Sequence, residues 1–170
     1  MPTFAFAGSA RVTMRTRAKG LLSALAHDLA LSAPFAHGIA HEEGGLWRVE
    51  AAIAPTAIAV TGAIERGAAK PLSAWETREI ERRIVDEVFG GLASIAIRAT
   101  GTPRAPEVSV TAKREARAHV RIELRGARVD LTGTIGMRAL GLAEVKAPLG
   151  AFTVADDVEI AAAIPLVAAG

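Results

Sequence analysis

His27 stands in the run Leu25-Ala26-His27-Asp28-Leu29, and a strand beginning there gives it the parity of Leu29, Leu31, Ala33 and Phe35. An imidazole on that apolar face could hydrogen-bond the polar head of a lipid or quinone, since apolar pockets orient ligands with a few placed polar groups. The simpler reading is a buried histidine satisfied by backbone or water. Asp28 falls with Ala30 and Ser32 on the other face, so His27 and Asp28 do not form a side-by-side dyad. His37, His41, Glu42 and Glu43 have metal-ligand side chains, and nitrogen and carboxylate donors could hold zinc if they converged. The spacing His37-x-x-x-His41 lacks the intervening Glu of a zinc-protease helix, and Gly38, Gly44 and Gly45 favour a hairpin rim, so no metal site is assigned. No serine sits in Gly-x-Ser-x-Gly, no Ser, His and acid follow a triad order, and no glycine-rich loop is placed to cradle phosphate. Catalytic residues are therefore none, and the expectation is not an enzyme.

The elements that would position these residues are mostly strands. Alternation with period two puts every second side chain on one face of a sheet. Val12 and Met14 alternate with Arg11, Thr13 and Arg15, and Trp47, Val49, Ala51 and Ile53 alternate with Arg48 and Glu50. Ile58, Val60, Gly62 and Ile64 share a face, as do Ile95 and Ile97. Val108 and Val110, then Val120, Ile122 and Leu124, then Val129, Leu131 and Ile135 continue the pattern, with Gly133 on the inner face where a curved strand can bend. Val154, Val158, Ile160, Ala162 and Ile164 mark the last strand, and Gly101 to Pro106 reads as a turn-rich loop. Leu21, Leu25 and Leu29 also fall at helical spacing, so a helix over Leu21 to Leu31 is the alternative there.

One segment departs from the strand rule. Between Ser73 and Phe89, Ile80, Ile84 and Val88 recur at spacing four among charged residues, Ser73 with Glu76 makes a capping box, and Gly90-Gly91 supplies a stop. The expected fold is all-β with one inserted helix: a closed or nearly closed antiparallel barrel of about eight strands, with a β-sandwich as the alternative. Trp47 and Trp75 read as packing residues, Trp75 being placed to act as a lid over the barrel mouth.

Composition sets bounds on function. The 170 residues fit one domain, 1–170, with no internal repeat or linker. Hydrophobic content of 51% with only 4% aromatics means an interior of small and branched side chains, which leaves room. The absence of Cys excludes disulfides, thiolate metal sites and a Cys nucleophile. A net charge of +2 spread over 20 basic and 18 acidic residues argues against nucleic acid, and the arginines Arg11, Arg15, Arg17, Arg114, Arg117, Arg121 and Arg125 read as a solvated exterior. No apolar run reaches the ~20 residues of a membrane span, and the first twenty residues lack a secretory apolar core, so a soluble cytoplasmic protein is expected.

The segment Gly20-Leu21-Leu22-Ser23 with Leu25-Ala26-His27-Asp28-Leu29, then Leu72-Ser73 before the charged helix and Ser94 to Arg98 after it, resembles the YceI-like family. Leu149-Gly150-Ala151-Phe152, Val154 and Asp157-Val158-Glu159-Ile160 are similar to that family's closing strand, whereas Val108 to Leu124 lacks its Gly-x-Leu-x-Leu-x-Gly pattern. The resemblance implies a lipocalin-like barrel whose elongated apolar cavity binds isoprenoid-type lipids in some members, many of which are exported. The expected partner is thus an apolar small molecule, with no cofactor beyond a bound isoprenoid or quinone-like lipid. The expected ligand wall is Val12, Met14, His27, Leu29, Leu31, Val49, Ile58, Val60, Ile95 and Ile97. Two further readings stay open: a self-filled barrel acting as a structural or interaction module, with a homodimer as one form of it, and an enzyme acting on a lipid.

Overall fold

The computed structural model describes residues 1–19, 28–145 and 153–170. Alternating residues form the expected strands: β1 Thr3–Phe6, β2 Arg11–Thr16, β3 Ala18–Lys19, β4 Asp28–Pro34, β5 His37–Glu43, β6 Leu46–Ile53, β7 Ala59–Glu65 and β8 Ala68–Lys70. After the helix α1 Ala74–Arg83 come β9 Ile95–Thr102, β10 Ala105–Thr111, β11 Glu115–Arg125, β12 Arg128–Gly136, β13 Thr153–Val154 and β14 Asp157–Ala168. Every strand pairing is antiparallel.

The main sheet runs β1-β5-β6-β9-β10-β11-β12-β14-β2-β4-β7-β8, and β1 returns to β14. Strand β14 makes the closure. One of its edges takes β12, and the other takes β2 along Glu159–Ala163 and then β1 at Leu166–Ala168. The pairs β1/β2, β4/β5 and β6/β7 are each one stave of the wall, bent at a common level by residues 7–10, 35–36 and 54–58. With the bent pairs counted as single staves, the molecule is an eight-stranded closed antiparallel barrel with one inserted helix. The short ladder between β3 and β13 stands apart from it.

Local chemistry explains the turns. Gly44 and Gly45 both take positive φ, 60° and 85°, as a two-residue hairpin with the sheet's own twist requires. The expected loop over Gly101 to Pro106 is instead a tight hairpin at Pro103-Arg104, with Gly101, Ala105 and Pro106 inside β9 and β10. Arg17 also lies one residue beyond β2 rather than on the same strand as Arg11 and Arg15.

The helix begins as its sequence requires. Ser73 Oγ accepts the Glu76 N–H at 3.2 Å, and Glu76 Oε2 accepts the Ser73 N–H at 2.9 Å. The α-helical part ends at Arg83, continues as a π-turn over Ile84–Val88 and stops at Gly90 and Gly91, both at positive φ. Ile80, Ile84 and Val88 turn onto the barrel. Glu81 Oε1 accepts the backbone N–H of Val60 at 2.9 Å, so a side chain satisfies a strand-edge donor of β7. Trp75 is 71% exposed, which corrects the packing role expected of it.

Candidate ligand-binding site

Register identifies the inward face. Phe4 lies opposite Ala40, Ala40 opposite Val49, Val49 opposite Ala99, Ala99 opposite Val108 and Val108 opposite Ala118. On the other side Leu131 lies opposite Ile122 and Ala162, Ala162 opposite Val12, and Val12 opposite Ala33. Residues directly opposite in an antiparallel pair share a face, so all of these point inward.

The inward side chains fall into two environments. Under the helix, Val12, Leu31, Ala33, Ile53, Ile58, Val60 and Ile95 join Val88 and Phe89 in a single buried cluster, with Met14, Leu29 and Ile97 packed against it. Five of the expected ligand-wall residues, Val12, Leu31, Ile58, Val60 and Ile95, therefore lie in a core shared with the segment after α1. Val49 is on the other half, itself half-buried opposite the buried Ala40, where Val108, Ala116, Ala118, Ile135 and Leu140 form a second, smaller buried cluster. Along β11, Ala116 and Ala118 are buried, Val120 and Ile122 half-buried, and Leu124 is 41% exposed. His27 lies outside the described residues.

The expected face of β7 needs one correction. Pairing shifts between Ala30 and Leu31, leaving Thr61 as an extra residue, so Ala63 rather than Ile64 joins Leu29 on the inside. A bulge of this kind reverses side-chain parity beyond it.

The wall also has a split. Strands β10 and β11 pair only from Val108/Ala118 to Thr111/Glu115. Beyond Ala118, β11 continues against β12 alone, while Ala105–Glu107 follow β9. Between the diverging strands is a cleft of about 560 Å³. Pro106, Val108, Ala118, Val120 and Gly133 supply its inward wall, and Glu107, Arg117, His119, Arg121 and Thr132 form its outward rim. Arg117 reaches Glu107 across the gap at 3.7 Å. A Cβ on Gly133 would sit 2.1 Å from the His119 carbonyl oxygen and 2.8 Å from Val120 Cα, so glycine there lets β11 lie close over β12.

The sequence held one sign of this split. Pro106 has no N–H to offer a neighbouring strand, and proline inside a run of strand residues marks an edge. Assigning Gly101 to Pro106 to a loop concealed it.

Two aromatic pairs pack around a third buried cluster, Ala10, Ile164 and Leu166. Phe6 meets Phe35 edge-on at 5.1 Å, and Phe4 stacks on Trp47 at 5.7 Å, which fits the packing role expected of Trp47. Gly38 makes room for Phe6: a Cβ there would lie 2.1 Å from the ring.

Three of the remaining polar candidates, Asp28, His41 and Glu42, have structural partners. Asp28 Oδ1 accepts the Ala18 N–H at 3.0 Å, and its other oxygen faces Arg15 at 3.7 Å, so Asp28 ties β4 both to β2 and to the start of β3. His37 and His41 lie on β5, as a hairpin reading requires, with His41 Nδ1 hydrogen-bonded to Thr3 Oγ1 at 2.9 Å. Glu42 instead accepts the Gly45 N–H at 2.6 Å. Among the described residues no group of three or more His, Asp or Glu is placed to hold a metal ion. Among the described residues no helix is long and apolar enough to cross a membrane.

No protein-family model matches the sequence, and no curated protein sequence matches it either. The fold is similar to that in the crystal structure of Burkholderia cenocepacia BcnA, with 11% identity and a TM-score of 0.57 over 93% of this chain and 96% of that one. At that identity the likeness is one of fold: both chains form the same barrel along nearly their whole lengths.

Proposed function

We propose that the protein binds an apolar ligand in the open half of the barrel, as a carrier or binding protein of the YceI-like type. The observation that carries this reading is the run of inward apolar side chains on β11, which become more exposed from Ala118 to Leu124 beside a split in the wall. In this reading the tail runs along Val49, Ile97 and Val120 and abuts the packed floor made by Val12, Met14, Leu29, Leu31, Ile58, Val60 and Ile95. His27 would contribute a polar group if its strand parity extends that floor.

Burying a ten-carbon chain would contribute roughly 8 kcal/mol at about 0.8 kcal/mol per methylene, against association costs of at least about 4 kcal/mol. The net of about 4 kcal/mol or less corresponds to binding in the millimolar range or weaker for a ten-carbon chain, and longer isoprenoid or quinone-like chains should bind more tightly. Native mass spectrometry of protein purified from its own host, followed by solvent extraction, tests the proposal. A stoichiometric lipid adduct that Val120→Trp abolishes without lowering Tm is the expected result. A clean apo mass that no added lipid changes would overturn it.

One observation favours a second reading. Ile39 and Val167 are 44% and 49% exposed on the outer face, with Ala5 between them in register across β5, β1 and β14. An outward apolar row across three strands suits self-association. A concentration-dependent dimer in sedimentation that Val167→Glu dissociates, with no extractable ligand, would support an interaction module instead.

A further inference from the structure

We propose that the split between β10 and β11 is a lateral mouth that seats the oxyanion head, carboxylate or phosphate, of an amphiphile whose tail lies inside the barrel. The proposal rests on the apolar-ligand reading above and adds the head group and where it sits. The cleft joins two surfaces of opposite character: Val108, Ala118 and Val120 on its inward side and Arg117, His119 and Arg121 at its rim. An amphiphile has that same division.

The charges at the rim are unequally committed. Glu107 is the acid of the cleft and is matched by Arg117. Arg125, further along β11, is held by Glu123 at 2.7 Å. Between them, Arg121 and His119 make no ion pair or side-chain hydrogen bond to another described residue. The cleft therefore carries one guanidinium without an ion-pair partner among the described residues, with an imidazole two residues away on the same face. A guanidinium fork matches a carboxylate or a phosphate equally well. The open wall supplies access: Pro106 brings no donor to the gap, and β11 beyond Ala118 has no strand on that side.

Displacement of the neutral dye Nile red by decanol, decanoate and decyl phosphate, which share one tail, tests the inference. At least one of the two anions should displace the dye at about fivefold lower concentration than decanol. Arg121→Gln should erase that advantage, while Arg121→Lys should keep part of it and Arg48→Gln, on the outer face of β6, should leave it intact. An advantage for decanoate alone assigns a carboxylate head, and one for decyl phosphate alone a phosphoryl head. Equal displacement by all three ligands would overturn the head-group site while leaving an apolar-ligand barrel standing. An advantage that survives Arg121→Gln would overturn its placement in the split. If neither the dye nor any ligand binds, the underlying reading fails and this one with it.

Discussion

The helix-covered half of the barrel and the split half are built from the same alternation of apolar and charged residues, yet they reach different degrees of closure. In the first, a second layer arrives: Ile80, Ile84, Val88 and Phe89 descend on β2, β4 and β7, and the inward side chains there lose nearly all contact with water. In the second, a smaller buried cluster of Val108, Ala116, Ala118, Ile135 and Leu140 forms, but among the described residues no strand pairs with the free edge of β11 beyond Ala118, and Val120, Ile122 and Leu124 keep some contact with water. Inward-pointing and buried are thus separate properties. Alternation sets the first, whereas the second depends on what the rest of the chain brings to that place.

The largest expected effect on this contrast comes from core truncation. Phe89→Ala should lower stability by about 3 kcal/mol or more in denaturant unfolding, since it empties a site the surroundings cannot refill. Ile122→Ala removes an inward side chain already in part-contact with water and should cost about 1 kcal/mol. Equal losses would mean that the open half is as tightly packed as the covered one.

A smaller effect is expected at the seam between helix and sheet. Glu81→Ala leaves the Val60 N–H without its acceptor and should cost about 1–3 kcal/mol, whereas Glu81→Gln keeps a carbonyl oxygen there and should recover most of that. Amide exchange at Val60, followed by NMR, checks the cause directly: protection falls in the alanine variant and returns in the glutamine variant.

The smallest effect lies on the helix surface. The hydrogen bond from Arg82, and then its charge, hold the Glu79 carboxyl below the ordinary carboxylate range. Because the folded value is depressed, this contribution is present above the unfolded value and disappears as the pH falls through the folded one. Glu79→Gln should therefore lower Tm slightly near neutrality, and the difference from the parent should vanish in acid. Both groups are exposed, so a large shift would show that the pair does more than decorate a solvated face.

Much of the covered half was legible in the sequence. Strand alternation, the Ser73/Glu76 capping box, the Gly90-Gly91 stop and the Ile80/Ile84/Val88 stripe each act over a few neighbouring residues, and each is found where expected. The features that escaped notice depend on the partner strand. The extra residue at Thr61 exists only relative to β4, so the parity of Ile64 could not be read from β7 alone. The split depends on β11 outrunning β10, and its one local sign, Pro106, stood among turn residues and was assigned to a loop. Arg117 and Arg121 were accordingly read as exterior charges, because nothing in β11 itself distinguishes a rim from a wall.

The split also leaves a row of backbone amides and carbonyls along β11, from His119 to Arg125, with no neighbouring strand on one side. Such a row is a template on which another chain can add a strand, the usual starting point for edge-to-edge aggregation. Here the outward positions are Arg121, Glu123 and Arg125, bulky and charged, and a neighbouring strand would have to lie against them. The residues that flank the opening thus also act as gatekeepers, allowing the barrel to keep one seam unzipped without recruiting its own copies.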